Sequence, residues 1–171
     1  MATLVYIIRH CEKPAEGEDL SPEGRVHAHH IGKFFASKEF GQPVPQLVLC
    51  CMPSTLLSVD KVHGTANRAY QTAKAIGQEL KIDVHTAHDL IPGAEAALAD
   101  SIHSVRQGTI LVAWEHSSVP ALCHELGFPQ VKTWSGKNPL LDVKPDDKEF
   151  STCYKLDLKA KTFSFFALPH A

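Results

Sequence analysis

Apolar residues fall in short blocks separated by longer stretches of mixed polarity. Leu4 to Ile8 is continuous, apolar and rich in β-branched residues, which predicts a strand buried on both faces. A polar loop, Cys11 to Leu20, follows. Ser21-Pro22 supplies a helix cap and a proline at the first helical position, and Ala28, Ile31 and Phe35 keep helical spacing. These positions predict an amphipathic helix over residues 22–37. Gln46 to Cys51 is a second strand candidate. Met52 to Thr65, with Pro53, Gly64 and no period, reads as a long loop of the kind that is often functional. Ala69, Ala73, Ile76 and Leu80 then mark one face of a helix over 66–80.

The second half continues the alternation. Ile82 to Val84 predicts a brief strand, and Leu98, Ile102 and Val105 a helix. Thr109 to Trp114 is the clearest strand in the chain. Val119, Leu122, Cys123 and Leu126 share one helix face, which Gly127 stops. Residues 129–149 are rich in proline and read as loop. At the end, Tyr154, Leu156 and Leu158 alternate with Lys155, Asp157 and Lys159, and a turn leads into a last strand from Thr162 to Leu168. Strands alternating with helices predict an α/β sandwich around a mostly parallel sheet, with the last strands free to join antiparallel.

Composition narrows the class. The 171 residues are expected to form one domain over 1–171, with 44% hydrophobic and 21% charged residues. A formal charge of −2 offers no general attraction to nucleic acid or anionic membrane, so neither is expected as a partner. No targeting segment or membrane span is recognised, and the five cysteines lack a C-x-x-C pair. Reduced thiols and a cytoplasmic setting follow as expectations. Histidine stands out, with 11 copies.

In sheets of this type ligands bind beyond the carboxyl ends of the strands. The first strand ends in Arg9-His10-Cys11-Glu12, and the strand ending at Trp114 delivers Glu115-His116 and then Ser117-Ser118. Arg68 stands near the start of the 66–80 helix. Two arginines and two histidines would thus converge on one edge. Guanidinium forks suit phosphate oxygens, and imidazole can act as a covalent nucleophile. A neutral His10 could attack phosphorus, with Arg9, Arg68 and a protonated His116 stabilising the equatorial oxygens, and with no metal required.

Four segments carry a resemblance. Leu4-Val-Tyr-Ile-Ile-Arg-His-Cys-Glu12 resembles the nucleophile motif of the histidine phosphatase superfamily, the phosphoglycerate mutase-like proteins. Leu20-Ser-Pro-Glu-Gly-Arg25, Asn67-Arg-Ala-Tyr-Gln-Thr-Ala73 and Ile110-Leu-Val-Ala-Trp-Glu-His-Ser117 resemble the segments that follow it there, in the same order. The resemblance implies a three-layer α/β/α sandwich. It implies His10 as nucleophile, His116 as the second pocket histidine, and Arg9 and Arg68 as phosphoryl binders. It implies no cofactor, and a phosphorylated small molecule or a phosphoprotein as substrate.

Departures from that pattern are specific. Cys11 and Glu115 stand where glycines are usual, and Asn67 where a serine is. No general acid is evident. Asp89 and Glu95 are candidates, and Glu115 should point away from His116 as its strand neighbour. Short members acting on phosphohistidine also lack an obvious acid, since a phosphorylated imidazole is the better leaving group. Glu12 is read as a local partner for an arginine, and Cys11 as a small buried filler. His27 and His30 share a helix face, read as solvated rather than metal-binding. The loop with Lys61 and His63 is a candidate cover for the pocket. The expected activity is metal-independent hydrolysis of a phosphate monoester or phosphohistidine through phospho-His10. The alternative is a binding module that keeps the pocket without turnover.

Overall fold

The computed structural model describes residues 2–52, 60–88, 94–106 and 108–171, with backbone only at 60–64, 87 and 88. The chain runs β1 (Leu4–Arg9), α1 (Pro22–Ala36), β2 (Leu47–Cys51), α2 (Asp60–Leu80), β3 (Val84–His88), α3 (Ala94–Ser104), β4 (Thr109–Trp114), α4 (Val119–Glu125), β5 (Thr152–Asp157) and β6 (Thr162–Ala167). One six-stranded sheet has the order β3-β2-β4-β1-β5-β6. The first four are mutually parallel, and β5 and β6 extend the sheet antiparallel beside β1.

Alternation along the strands divides the core in two. Val5 and Ile7 of β1, with Val112 and Trp114 of β4, pack against Leu98 and Ile102 of α3 and Leu122 of α4. Tyr6 and Ile8, with Val48 and Leu111, pack against Ile31 and Phe35 of α1 and Ile76 of α2. Helices therefore cover both faces, which makes the three-layer α/β/α sandwich expected from the pattern. β1 and β4 lie side by side in register, Arg9 opposite Trp114. Both carboxyl ends open on the same edge, where such sheets hold their ligands.

Local chemistry explains the boundaries. Ser21 caps α1, its hydroxyl accepting from the Gly24 amide at 2.9 Å, and Pro22 occupies the first turn. α2 begins at Asp60 and not at Ala66, so residues 60–65 of the expected 52–65 loop are helical. The periodic apolar face starts only at Ala66, so nothing in the pattern marked the preceding turns. Lys61 and His63 belong to that helix, with side chains outside the described residues. β3 occupies Val84–His88 rather than 82–84, Ile82 instead packing from the preceding turn against the α1–α2 side of the core. α3 runs over Ala94–Ser104 and carries Leu98 and Ile102 as expected, ending one residue before Val105.

Residues 126–151 have almost no regular structure, yet they are anchored. Trp134 is fully buried and donates its indole N–H to the Glu149 carbonyl at 3.0 Å. The Tyr154 hydroxyl bonds the Thr133 and Ser135 carbonyls at 2.8 and 3.1 Å. A large aromatic in a stretch with turn-like composition signals such an anchor. The segment is thereby held across the carboxyl ends of β1 and β4. Among the described residues no helix is long and apolar enough to cross a membrane.

Candidate active site

β1 and β4 bring the expected residues to one place. Arg9 ends β1 and His10 follows it directly, 3% and 2% exposed; Arg68 of α2 is 7% exposed. His116 sits in a single 3-10 turn, His116–Ser118, between β4 and α4. His10 lies within electrostatic reach of Arg9, Arg68 and His116.

His10 has a defined tautomer. Its Nδ1 is 2.7 Å from the Cys11 carbonyl. A carbonyl can only accept, so Nδ1 carries the hydrogen and Nε2 presents its lone pair. Burial, and then the Arg9 charge, push the imidazole down to about 3. His10 is thus neutral at physiological pH, as a nucleophile must be. The Cys11 amide donates to Thr72 Oγ1 at 3.0 Å, and that hydroxyl donates to the Arg68 carbonyl at 2.9 Å. This chain ties the loop after His10 to the helix that carries Arg68.

Arg9 keeps its charge although burial lowers it to about 10, with Glu115 and Asp147 acting in the opposite sense. Arg68 is likewise lowered by burial, and its Nη1 donates to the Gly17 carbonyl at 3.2 Å. Gly17 adopts a φ of +105°, which favours glycine at that turn. Asn67 and Gln71 both donate to Asp19 Oδ1 at 2.8 Å, so α2 grips residues 17–20 along its first exposed edge. Arg9 Nε and Arg68 Nε are buried donors without a partner among the described residues. Two unpaired guanidinium donors beside a neutral imidazole suit an oxyanion.

Two residues of the 126–151 segment complete the site, and sequence reasoning singled out neither. Asp147 accepts from Arg9 Nη1 through its carbonyl at 2.7 Å and from His116 Nε2 through its carboxylate at 2.9 Å. Phe150 lies over the Arg9 guanidinium, 4.1 Å from Cζ to the ring centroid, and its ring is 6.1 Å from that of His10. Nothing in the local spelling marks them; their position depends on the Trp134 anchor far away in sequence.

Glu115 does not point away from His116. β4 ends at Trp114, so strand alternation no longer governs the next side chain. Its carboxylate accepts from the Ser117 amide at 3.0 Å and from the Ser118 hydroxyl at 3.0 Å. It also lies 3.0 Å from His116 Nδ1, out of line for a hydrogen bond. Burial would raise this carboxyl, but His116 and Ser117 outweigh it and hold it far below the ordinary range. It is a fixed carboxylate. Of the two acid candidates, Glu95 accepts from the Trp114 indole at 3.1 Å, and Asp89 lies outside the described residues.

Glu12 pairs with His27 at 2.7 Å and not with an arginine. His27 is fully buried, contrary to the solvated helix face expected, because the C-terminal Leu168–Pro169 segment covers it. His29 bonds Glu79 at 3.0 Å. Cys11, Glu12 and His27 place ligand atoms within 4.8 Å of one another. They fit a metal poorly: both His27 nitrogens face protein acceptors, and burial drives the Cys11 thiol up. All five cysteines are buried free thiols.

No protein-family model and no curated protein matches the sequence. Solved structures do match the fold. One, assigned as the phosphohistidine phosphatase SixA from Agrobacterium tumefaciens, superposes with a TM-score of 0.61 at 20% identity, covering 98% of this chain and 99% of that one. Another, assigned as SixA from Nakamurella multipartitia, gives 0.56 at 19% identity, covering 99% and 96%. The fold implied by the motif resemblance is the fold these structures share with this chain.

Proposed function

We propose that this protein is a phosphatase of the histidine phosphatase type, hydrolysing a phosphate monoester or phosphohistidine through phospho-His10. The observation that carries the reading is the state of His10: buried, neutral, its Nδ1–H engaged and its Nε2 lone pair free, between two buried arginines. Likeness of fold to structures assigned as phosphohistidine phosphatases supports it.

In the first step Nε2 of His10 attacks phosphorus and the bond to the leaving oxygen or nitrogen breaks. The leaving group departs with the electron pair and takes up a proton. Arg9 and Arg68 hold the equatorial oxygens, their Nε donors finding the acceptors the protein does not supply. His116 exchanges its contact with Asp147 for a phosphoryl oxygen. In the second step water attacks phosphorus, the P–N bond breaks, and inorganic phosphate and neutral His10 are released with one proton to solvent. Guanidinium charge does the work a metal does elsewhere.

The alternative, a phosphate-binding module without turnover, draws on the Asp147 contacts that occupy Arg9 and His116. One assay separates the two. An activated aryl phosphate needs little protonation of its leaving group, so hydrolysis in the presence of a chelator tests the nucleophile without the general acid. Turnover that disappears in a folded His10→Ala variant is the expected result. No turnover by the folded wild type, with inorganic phosphate still binding, would replace this reading with the binding module.

A further inference from the structure

The loop that carries the nucleophile is clamped from behind by groups that never reach the pocket. The acceptor that selects the His10 tautomer is the Cys11 carbonyl, which belongs to the Cys11–Glu12 peptide. On one side Thr72 holds the Cys11 amide. On the other, the Glu12 carbonyl accepts from the Ser21 amide at 3.0 Å and from its hydroxyl at 3.1 Å. Gly24 presses so closely that a Cβ there would stand 2.3 Å from the same carbonyl oxygen. The Glu12 side chain then reaches His27 Nδ1 at 2.7 Å, and His27 Nε2 reaches the Pro169 carbonyl at 2.6 Å.

These two contacts set the charge of His27. The Pro169 carbonyl has only lone pairs, so Nε2 must carry a hydrogen. Nδ1 faces a carboxyl oxygen, and one proton lies between them. Burial alone would lower the imidazole and raise the carboxyl, yet their contact reverses both, raising His27 and lowering Glu12. The shared proton therefore resides on the imidazole.

We propose that His27 is a positioning residue of the phosphatase site: as an imidazolium bridging Glu12 and the Pro169 carbonyl, it fixes the Cys11–Glu12 peptide and through it the His10 tautomer. The inference rests on the function proposed above. A neutral His27 has a single N–H and must leave one of its two partly buried acceptors unpaired, which loosens the clamp. The other groups turned toward the pair are Glu23 of α1, Ser151 ahead of β5, at 3.4 Å from Nε2, the Cys11 thiol, and Arg9 on the Glu12 side. Raising the pH through the His27 titration should thus lower kcat while KM, set by Arg9 and Arg68, holds.

The test uses histidine-labelled wild type, Glu12→Gln and His27→Gln. Nitrogen NMR across a pH titration of the wild type should show His27 keeping both ring nitrogens protonated to higher pH than an ordinary histidine, and His10 as the single Nδ1–H tautomer. In Glu12→Gln, His27 should lose its second proton at lower pH and His10 should become a tautomer mixture. On an aryl phosphate, kcat at pH 7.0 should fall by about tenfold in either variant with KM changed by no more than about threefold. The alkaline limb of kcat should move to lower pH in Glu12→Gln. A wild-type His27 that loses its second proton at or below the pH of an ordinary histidine, or an unshifted His10 tautomer and kcat profile in folded Glu12→Gln, would overturn the proposal. Absence of turnover in the wild type would refute the phosphatase reading instead, and the nitrogen spectra would still decide the role of His27.

Discussion

His116 donates from Nε2 to the Asp147 carboxylate at 2.9 Å, while the Asp147 carbonyl takes Arg9 Nη1 at 2.7 Å. One loop residue thus occupies two groups of the proposed phosphoryl site, Arg9 at the end of β1 and His116 just past the end of the neighbouring parallel strand β4. The Asp147 side chain is 65% exposed, so water readily takes it back when it is displaced.

Removing that competitor should strengthen anion binding. Contacts of exposed carboxylates are weak, on the order of 0.2–1 kcal/mol, which corresponds to about 1.4- to fivefold in affinity. Asp147→Ala is expected to bind inorganic phosphate tighter by that factor, read by calorimetry or as a lower inhibition constant. Weaker binding would show instead that the Asp147 carboxylate holds His116 in place for the ligand.

The two buried histidines, His10 and His27, give opposite pH dependences of stability. His10 is lowered in the folded protein, so its contribution is complete above the ordinary value of 6.5 and is lost as pH falls toward 3. His27 is raised, so its contribution is complete below 6.5 and is lost as pH rises through its folded value. Glu12 is lowered, and its contribution is complete above 4.5 and lost below. The Glu12–His27 pair is therefore fully effective between about pH 4.5 and 6.5. Comparing Tm against pH, His27→Gln should flatten the decline on the alkaline side, and His10→Ala should flatten the decline on the acid side. Parallel curves for wild type and either variant would contradict the assignment.

Much of this architecture is written locally. The apolar runs of β1 and β4, the Ser21-Pro22 cap and the Gly127 stop depend on neighbours in the chain, and each lies where its spelling indicates. Arg9, His10 and His116 follow, because residues just past the ends of adjacent parallel strands must share an edge. What could not be read is what arrives from afar. His27 looks solvated on a helical wheel until the C-terminal segment covers it. Asp147 and Phe150 sit in a stretch without periodicity, held in place by Trp134 and Tyr154. The first turns of α2 lack apolar spacing altogether.

The cysteines should be silent. Each of the five side chains is 0% exposed, and burial raises the thiols, Cys11 included, despite Arg9 beside it. Thiol reactivity follows the thiolate fraction and access. An aromatic disulfide reagent at neutral pH should therefore leave the native protein unmodified and its activity unchanged, with all five thiols appearing on unfolding. Rapid modification at Cys11 with loss of activity would mean that the loop after β1 opens on its own.

Arg68 allows charge and geometry to be separated. It is nearly as buried as Arg9, with Nη1 spent on the Gly17 carbonyl and Nε unpaired. The guanidinium fork can serve Gly17 and an oxyanion together, whereas a lysine ammonium, a single compact charge on a flexible stem, cannot span both. Arg68→Lys should retain the electrostatic lowering of His10 while losing the fork. Its KM for an aryl phosphate is expected to rise by about tenfold, one charge-assisted hydrogen bond's worth, with kcat little changed. Arg68→Ala loses the charge as well, and kcat/KM should fall by about a hundredfold or more. Activity equal to the wild type in Arg68→Ala would remove α2 from the phosphoryl site and leave Arg9 as the sole guanidinium acting there.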